Sequence, residues 1–195
     1  MRDPFSSRRA TVRLARIAMG GAVMCLLAPF SIPLPGGVPI SLGSFAAVFL
    51  GLFLGPWEGT ASVFLYLALG AAGLPVFSGG AGGVGKLFGV TGGYLIGFLF
   101  LSLLSGLFRD KRWRVSGVLA GEVVLYLFGT LWFYLQSPGK TFGALLMACC
   151  VPFLPGDAVK CALALYLYRL FRRRGIRKSG AAESPEETGE EKREE

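Results

Sequence analysis

Histidine is absent from the 195 residues, and charge is scarce: Asp, Glu, Lys and Arg make up 16% of the chain, against roughly a quarter in a soluble domain. Without histidine there is no imidazole to serve as general base or proton relay. The four cysteines (Cys25, Cys149, Cys150, Cys161) show no CxxC spacing, so no zinc site is expected. All four fall in apolar segments and read as small buried hydrophobes. Regular apolar–polar alternation is missing too, which excludes a membrane β-barrel and makes strands unexpected. What the chain has instead is 53% hydrophobic residues, 29 glycines and a mean hydropathy of +0.57. Several apolar runs exceed the roughly 18 residues that cross a bilayer core. The expected fold class is an all-α, multi-pass membrane protein.

The net charge of +8 invites a nucleic-acid reading, but its layout speaks against one. Seventeen of the 20 Lys and Arg lie at the N-terminus, between Arg109 and Arg114, or from Arg169 onward. Lys86, Lys140 and Lys160 are the remainder. With six spans and both termini cytoplasmic, all three clusters face the cytoplasm, as the positive-inside rule requires. The N-terminal pattern of basic then apolar residues resembles a signal peptide. No small-x-small cleavage site closes it, so an uncleaved first helix is expected.

Three regions follow: a basic arm (1–12), a membrane domain (13–172) and a charged tail without apolar periodicity (173–195), expected to be disordered. Spans are expected over 13–30, 41–54, 60–74, 94–108 and 115–136, with a final helix over 157–172. Between the first two spans, Pro33, Pro35, Pro39, Gly36 and Gly37 rule out a regular helix. Irregular backbone beside a span needs protein or water to satisfy it, which places this loop on the outer side, folded partly into the bundle. Residues 55–59 read as a tight inner turn, and 75–93 as a second irregular outer segment. The apolar stretch 142–153 is interrupted by Pro152 and Pro155, and the last helix then starts below the outer surface, as in the broken helices that aim an N-terminus into transporter cavities.

Asp157 and Lys160 stand at that helix start, an acid and a base three residues apart in an otherwise apolar run. A carboxylate there meets the positive end of the helix dipole, and Lys160 projects from the same face. Ionisable groups in a membrane face a cavity or each other. The pair is either a structural ion pair fixing the break or a recognition site, with Asp157 accepting ligand N–H groups and Lys160 donating to a carbonyl or carboxylate. Glu122, within the fifth span, could relay protons, but with no second carboxylate nearby in sequence and no His it reads rather as a partner for a backbone break or a polar contact between helices. Trp57, Tyr66, Trp113, Tyr126 and Tyr134 read as interfacial anchors or packing, while Phe77, Tyr94 and Trp132 are candidates to wall a pocket. Gly80-Ala81-Gly82-Gly83-Val84-Gly85-Lys86 fits G-x-x-x-x-G-K, but Leu87 replaces the Mg²⁺-binding Ser or Thr and no strand precedes it, so nucleotide binding is not expected. In the first span, Ala18 and Ala22, with Gly21 beside them, form a small-residue face suited either to packing within the bundle or to docking another subunit.

Four stretches in order, Val38-Pro39-Ile40-Ser41-Leu42, Gly73-Leu74-Pro75-Val76-Phe77 with Ser78-Gly79-Gly80, Thr91-Gly92-Gly93-Tyr94, and Pro152-Phe153-Leu154-Pro155-Gly156-Asp157 with Lys160, together resemble the BioY family. These are the biotin-capturing S subunits of energy-coupling-factor (ECF) transporters. The similarity covers residues 13–172, with Val90 standing where the family usually has Pro. The resemblance implies six helices and a biotin pocket opening outward beneath the two irregular loops. It implies that Asp157 and Lys160 hold the ureido end of biotin, and that Ser78, Gly79 and Tyr94 close over the bicyclic ring. Lys86 is a candidate for the valerate carboxylate from its charge and outer location. Ala18 and Ala22 match the Ala-x-x-x-Ala docking face of such subunits. The implied partners are a transmembrane coupling protein and two cytoplasmic ATPases, which use ATP; no cofactor is expected on this chain. Rival readings are a stand-alone secondary carrier, an S subunit for another vitamin, and a membrane enzyme. The last lacks His and metal spacing and has only Asp157 and Glu122 as deep carboxylates.

Overall fold

A computed structural model describes residues 4–32, 39–110, 112–137, 139, 141–150 and 153–182. The middle of the first loop (33–38), Lys140, Pro152 and the tail from 183 lie outside the described residues. The chain runs α1 (Pro4–Leu27), β1 (Ser31–Ile32), β2 (Ile40–Ser41), α2 (Gly43–Leu54), α3 (Pro56–Ala71), α4 (Val84–Phe88), α5 (Gly92–Leu107), α6 (Arg114–Leu135), α7 (Phe142–Cys150) and α8 (Leu154–Ala182). Two segments, Ala10–Leu27 and Arg114–Leu135, are long and apolar enough to cross a membrane; α2 and α5 are apolar but shorter.

Several boundaries differ from expectation. The ends of the first Pro/Gly loop pair as two short antiparallel strands, Ser31 opposite Ser41 and Ile32 opposite Ile40, so strands are present after all. The pairing satisfies backbone groups that the loop would otherwise leave bare. The inner turn shrinks to Gly55, whose φ of +91° suits glycine. Pro56 then opens α3, where a proline N–H is not needed. The second outer segment is not wholly irregular: it holds a 3-10 turn (Ser78–Gly80) and the short α4. The final helix starts three residues before Asp157 and continues to Ala182, ten residues past the expected end. Pro155 is tolerated because it falls in the first turn. Beyond residue 172, Arg, Lys and Ala are good helix formers, and Gly175 and Gly180 cost only about 1 kcal/mol each.

Small residues set the packing, as they must where lipid offers no hydrophobic drive between helices. On α5, a Cβ at Gly93 would strike Trp132, and one at Gly97 would stand 2.6 Å from Leu125 of α6. From the other side, a Cβ at Gly121 would stand 2.8 Å from Leu101, and one at Gly129 would enter the Tyr94 ring. Gly51 of α2 backs onto the Ser102 carbonyl of α5. These glycine faces therefore close the bundle itself. On α1, Gly20 meets Ser62 and Gly21 meets Leu65 of α3, so Gly21 belongs to the inner face, while Ala18 and Ala22 point outward and are exposed.

Polar contacts sort the molecule into two ends. At one, Arg13 and Arg16 reach Glu58 at 3.6 Å each, Arg109 donates to the Phe53 carbonyl, and Asp110 joins Tyr168 and Arg172. At the other, Lys160 meets Ser41, Gly79 donates to the Pro29 carbonyl at 3.1 Å, and Gln136 caps Phe88 and Gly89. The basic stretches share the first end.

Candidate functional site

Pro155 and Gly156 begin α8 beside the α2 N-terminus, and this brings Asp157 and Lys160 against Ser41 and Ser44. Lys160 Nζ donates to Asp157 Oδ1 at 2.8 Å, to the Ser41 carbonyl at 2.7 Å and to Ser44 Oγ at 3.2 Å. An ammonium has three N–H donors, so all three are used. Ser44 Oγ donates to Asp157 Oδ1 at 3.2 Å, and the Tyr126 hydroxyl of α6 donates to Oδ2. Both side chains are nearly buried, at 10% and 13% exposure for Asp157 and Lys160. A buried pair is tolerable only when its remaining hydrogen-bonding capacity is met, and here the two serines and Tyr126 meet it.

The pair forms one wall of a cavity of about 50 Å³. Its polar lining adds Ser41, Ser44, Ser78, Lys86 and Thr91. Tyr94, Phe98, Tyr126 and Phe153 give it flat aromatic surfaces, with Leu95 and Leu125 beside them. Tyr94 is fixed from behind, its hydroxyl 3.0 Å from Thr130 Oγ1 and its ring seated over Gly129. Lys86 is half-buried on α4, and its ammonium has no hydrogen bond or ion pair among the described residues, so it keeps donors for an anionic group. The G-x-x-x-x-G-K stretch is thus a 3-10 turn and a one-turn helix at the cavity.

Of the residues expected here, Asp157, Lys160, Ser78, Lys86 and Tyr94 line the cavity together. Gly79 is outside that lining; its N–H ties the loop to Pro29. Phe77 is fully buried, edge-on to Tyr66 at 5.5 Å, and Trp132 donates to the Gly89 carbonyl. Both hold the outer segment in place rather than wall the pocket. Tyr126, read as an anchor, is part of the site. Ser44 went unnoticed because a serine in an apolar helix is unremarkable. The signal available for Tyr126 was spacing: Glu122 and Tyr126 on α6 face Cys161 and Asp157 on α8, each pair four apart. Cys161 Sγ donates to Glu122 Oε1 at 3.3 Å, so Glu122 bridges α6 and α8 and lies outside the cavity lining. Among the described residues no group of three Cys, Asp or Glu could hold a metal.

Comparison with known proteins gives a consistent result. The model of the BioY family matches residues 1–177. The biotin transporter BioY of Rhodobacter capsulatus is 39% identical over 147 residues, covering 67% of this chain and 76% of that one. The biotin transporter BioY of Thermotoga maritima is 35% identical, covering 78% and 90% of the two chains. That of Rhizobium etli is 32% identical, covering 84% and 92%. Among solved structures, the 2.1 Å crystal structure of the S-component for biotin from an ECF-type ABC transporter superposes with a TM-score of 0.76. It is 32% identical, and the match covers 89% of this chain and 95% of that one.

Proposed function

The chain belongs to the BioY family of membrane transport proteins, and from that premise we propose that it captures biotin as the S-component of an ECF-type transporter. The observation that carries the ligand assignment to these residues is the buried Asp157–Lys160 pair, fully hydrogen-bonded and facing a cavity with aromatic walls. A cyclic urea offers two N–H donors on one edge and a carbonyl between them. Asp157 accepts from the N–H groups, exchanging the Ser44 or Tyr126 hydroxyl for ligand donors, and Lys160 donates to the carbonyl. Tyr94 and Phe98 take the apolar bicycle, and Ser78 in the 3-10 turn closes over it. Lys86 pairs with the carboxylate at the far end of the ligand. Recognition of this kind is selective because a ligand without matching groups leaves a buried charge unsatisfied.

The reading extends to the assembly. Six membrane passes are α1, α2, α3, α5, α6 and α8, with α7 entering ahead of the break, in the plasma membrane. The Arg-rich end and both termini are cytoplasmic, by the positive-inside rule. The cavity then opens outward. The exposed Ala18 and Ala22 dock against a transmembrane coupling protein, and two cytoplasmic ATPases burn the ATP; this chain binds none.

Equilibrium binding of biotin to the purified chain in detergent, with riboflavin and thiamine as controls, tests the proposal. Tight binding of biotin alone, without ATP or partners, is the expected result. Tight binding of another vitamin discards the ligand and keeps the role. Binding of none of them overturns the capture role.

A further inference from the structure

A second cavity, of about 390 Å³, lies at the opposite end between the start of α6 and the middle of α8. Arg112, Arg114, Arg169, Arg172 and Arg173 line it, with Val115 as its apolar wall. Opposing negative charge is sparse. Asp110 pairs with Arg172 at 3.4 Å and with Arg109 outside the groove at 3.1 Å. Arg114 lies over the Tyr168 ring at 5.6 Å. Arg112, Arg169 and Arg173 have no carboxylate among the described residues. Five guanidinium groups around one hollow repel each other, and an anion seated among them relieves that repulsion. Their planar forks suit the oxygens of a phosphate.

The surface leading away from the groove says which anion. Val115 is 41% exposed, Leu119 57% and Val123 55%. Four apart on α6, they make an aliphatic strip that rises about 12 Å from the arginines. On α8, Tyr166 is 62% exposed and lies on the same face as Arg169 and Arg173 by helical spacing, an aromatic residue of the type enriched at membrane interfaces. A cationic pocket continued by an apolar strip complements a lipid with an anionic headgroup, whereas a free phosphate needs no strip. We propose that this groove binds the phosphate headgroup of an anionic phospholipid, with an acyl chain along Val115, Leu119 and Val123.

The test uses the full chain in mixed micelles, with phosphatidylglycerol or phosphatidylcholine of the same acyl chains. Retained lipid is read by native mass spectrometry and protein stability by thermal unfolding. Phosphatidylglycerol is expected to be retained over phosphatidylcholine by on the order of tenfold or more, and to raise the unfolding temperature, since each arginine near a lipid headgroup contributes appreciably. The Arg112→Gln/Arg169→Gln/Arg173→Gln variant should lose that preference and keep biotin binding, because these arginines are far from the biotin cavity and have no carboxylate to lose. Arg2→Gln/Arg8→Gln/Arg9→Gln removes the same charge elsewhere and should keep the preference. Equal retention of the two lipids by the unmodified chain overturns the site, leaving an acidic protein surface as its occupant. Equal loss in both variants reduces the effect to net charge. Soluble glycerol phosphate that stabilises the chain as much as the lipid assigns the groove to free phosphate.

Discussion

Lys160 donates three hydrogen bonds and Asp157 accepts three, across β2, α2, α6 and α8. Removing either charge strands the other. Lys160→Ala and Asp157→Asn are each expected to weaken biotin binding by at least about 2–3 kcal/mol, read by calorimetry. The same single changes should also lower the unfolding temperature. The double change Asp157→Asn/Lys160→Met removes both charges, and it should recover stability without recovering affinity. Recovery of both would reduce the pair to a purely structural ion pair. Tyr126→Phe deletes one donor to the carboxylate and should cost about 1–2 kcal/mol of affinity, with the fold unchanged. The charged pair was legible in the sequence because a charge in an apolar run is conspicuous. Ser44 and Tyr126 were not, since serine and tyrosine are ordinary in membrane helices and only the third dimension aims them at Asp157.

At the scale of elements, the helices were legible because their apolar runs are long and their breaks carry Pro or Gly. Their ends were not. Pro56 and Pro155 look like terminators, yet each sits in a first turn where it costs nothing. Glycines four apart, Gly51/Gly55, Gly93/Gly97 and Gly117/Gly121, are visible in the sequence as small-residue faces, but the sequence leaves undecided whether they meet a neighbour in the bundle or a second copy. The structure seats them within the bundle, and this makes them testable. Gly129→Ala drives a methyl into the Tyr94 ring, so it should weaken biotin binding by tilting a cavity wall while circular dichroism shows helix content retained. Gly51→Ala presses on the Ser102 backbone carbonyl, far from the ligand, and should lower stability by about 1–3 kcal/mol with affinity intact in the folded fraction. Gly80→Ala meets no atom within 4 Å but holds φ at +72°, so the cost there is only backbone strain of about 1–2 kcal/mol.

Across the whole molecule, polar groups divide along the bundle axis: the Asp157–Lys160 cavity at one end, the arginine groove at the other, and α1 with Ala18 and Ala22 exposed. Charge clustering made the basic end legible. The inner face of α1 was misjudged at Gly21, since residues three and four apart look alike until the partner helix is known. Ala18→Leu/Ala22→Leu places bulk at two positions that are exposed among the described residues, so biotin binding by the isolated protein should stay unchanged. Uptake in cells carrying the complete transporter should fall sharply.

The hydrogen bond from Gly79 to the Pro29 carbonyl ties the loop beside the cavity to the turn that follows the helix bearing Ala18 and Ala22. If the cavity takes biotin and α1 docks a partner as proposed, the two equilibria share that link. By thermodynamic linkage, if an empty loop shifts the docking constant of α1 by some factor, docking must shift the biotin constant by that same factor. Relinquishing cargo and relinquishing the partner become two readings of a single coupling free energy.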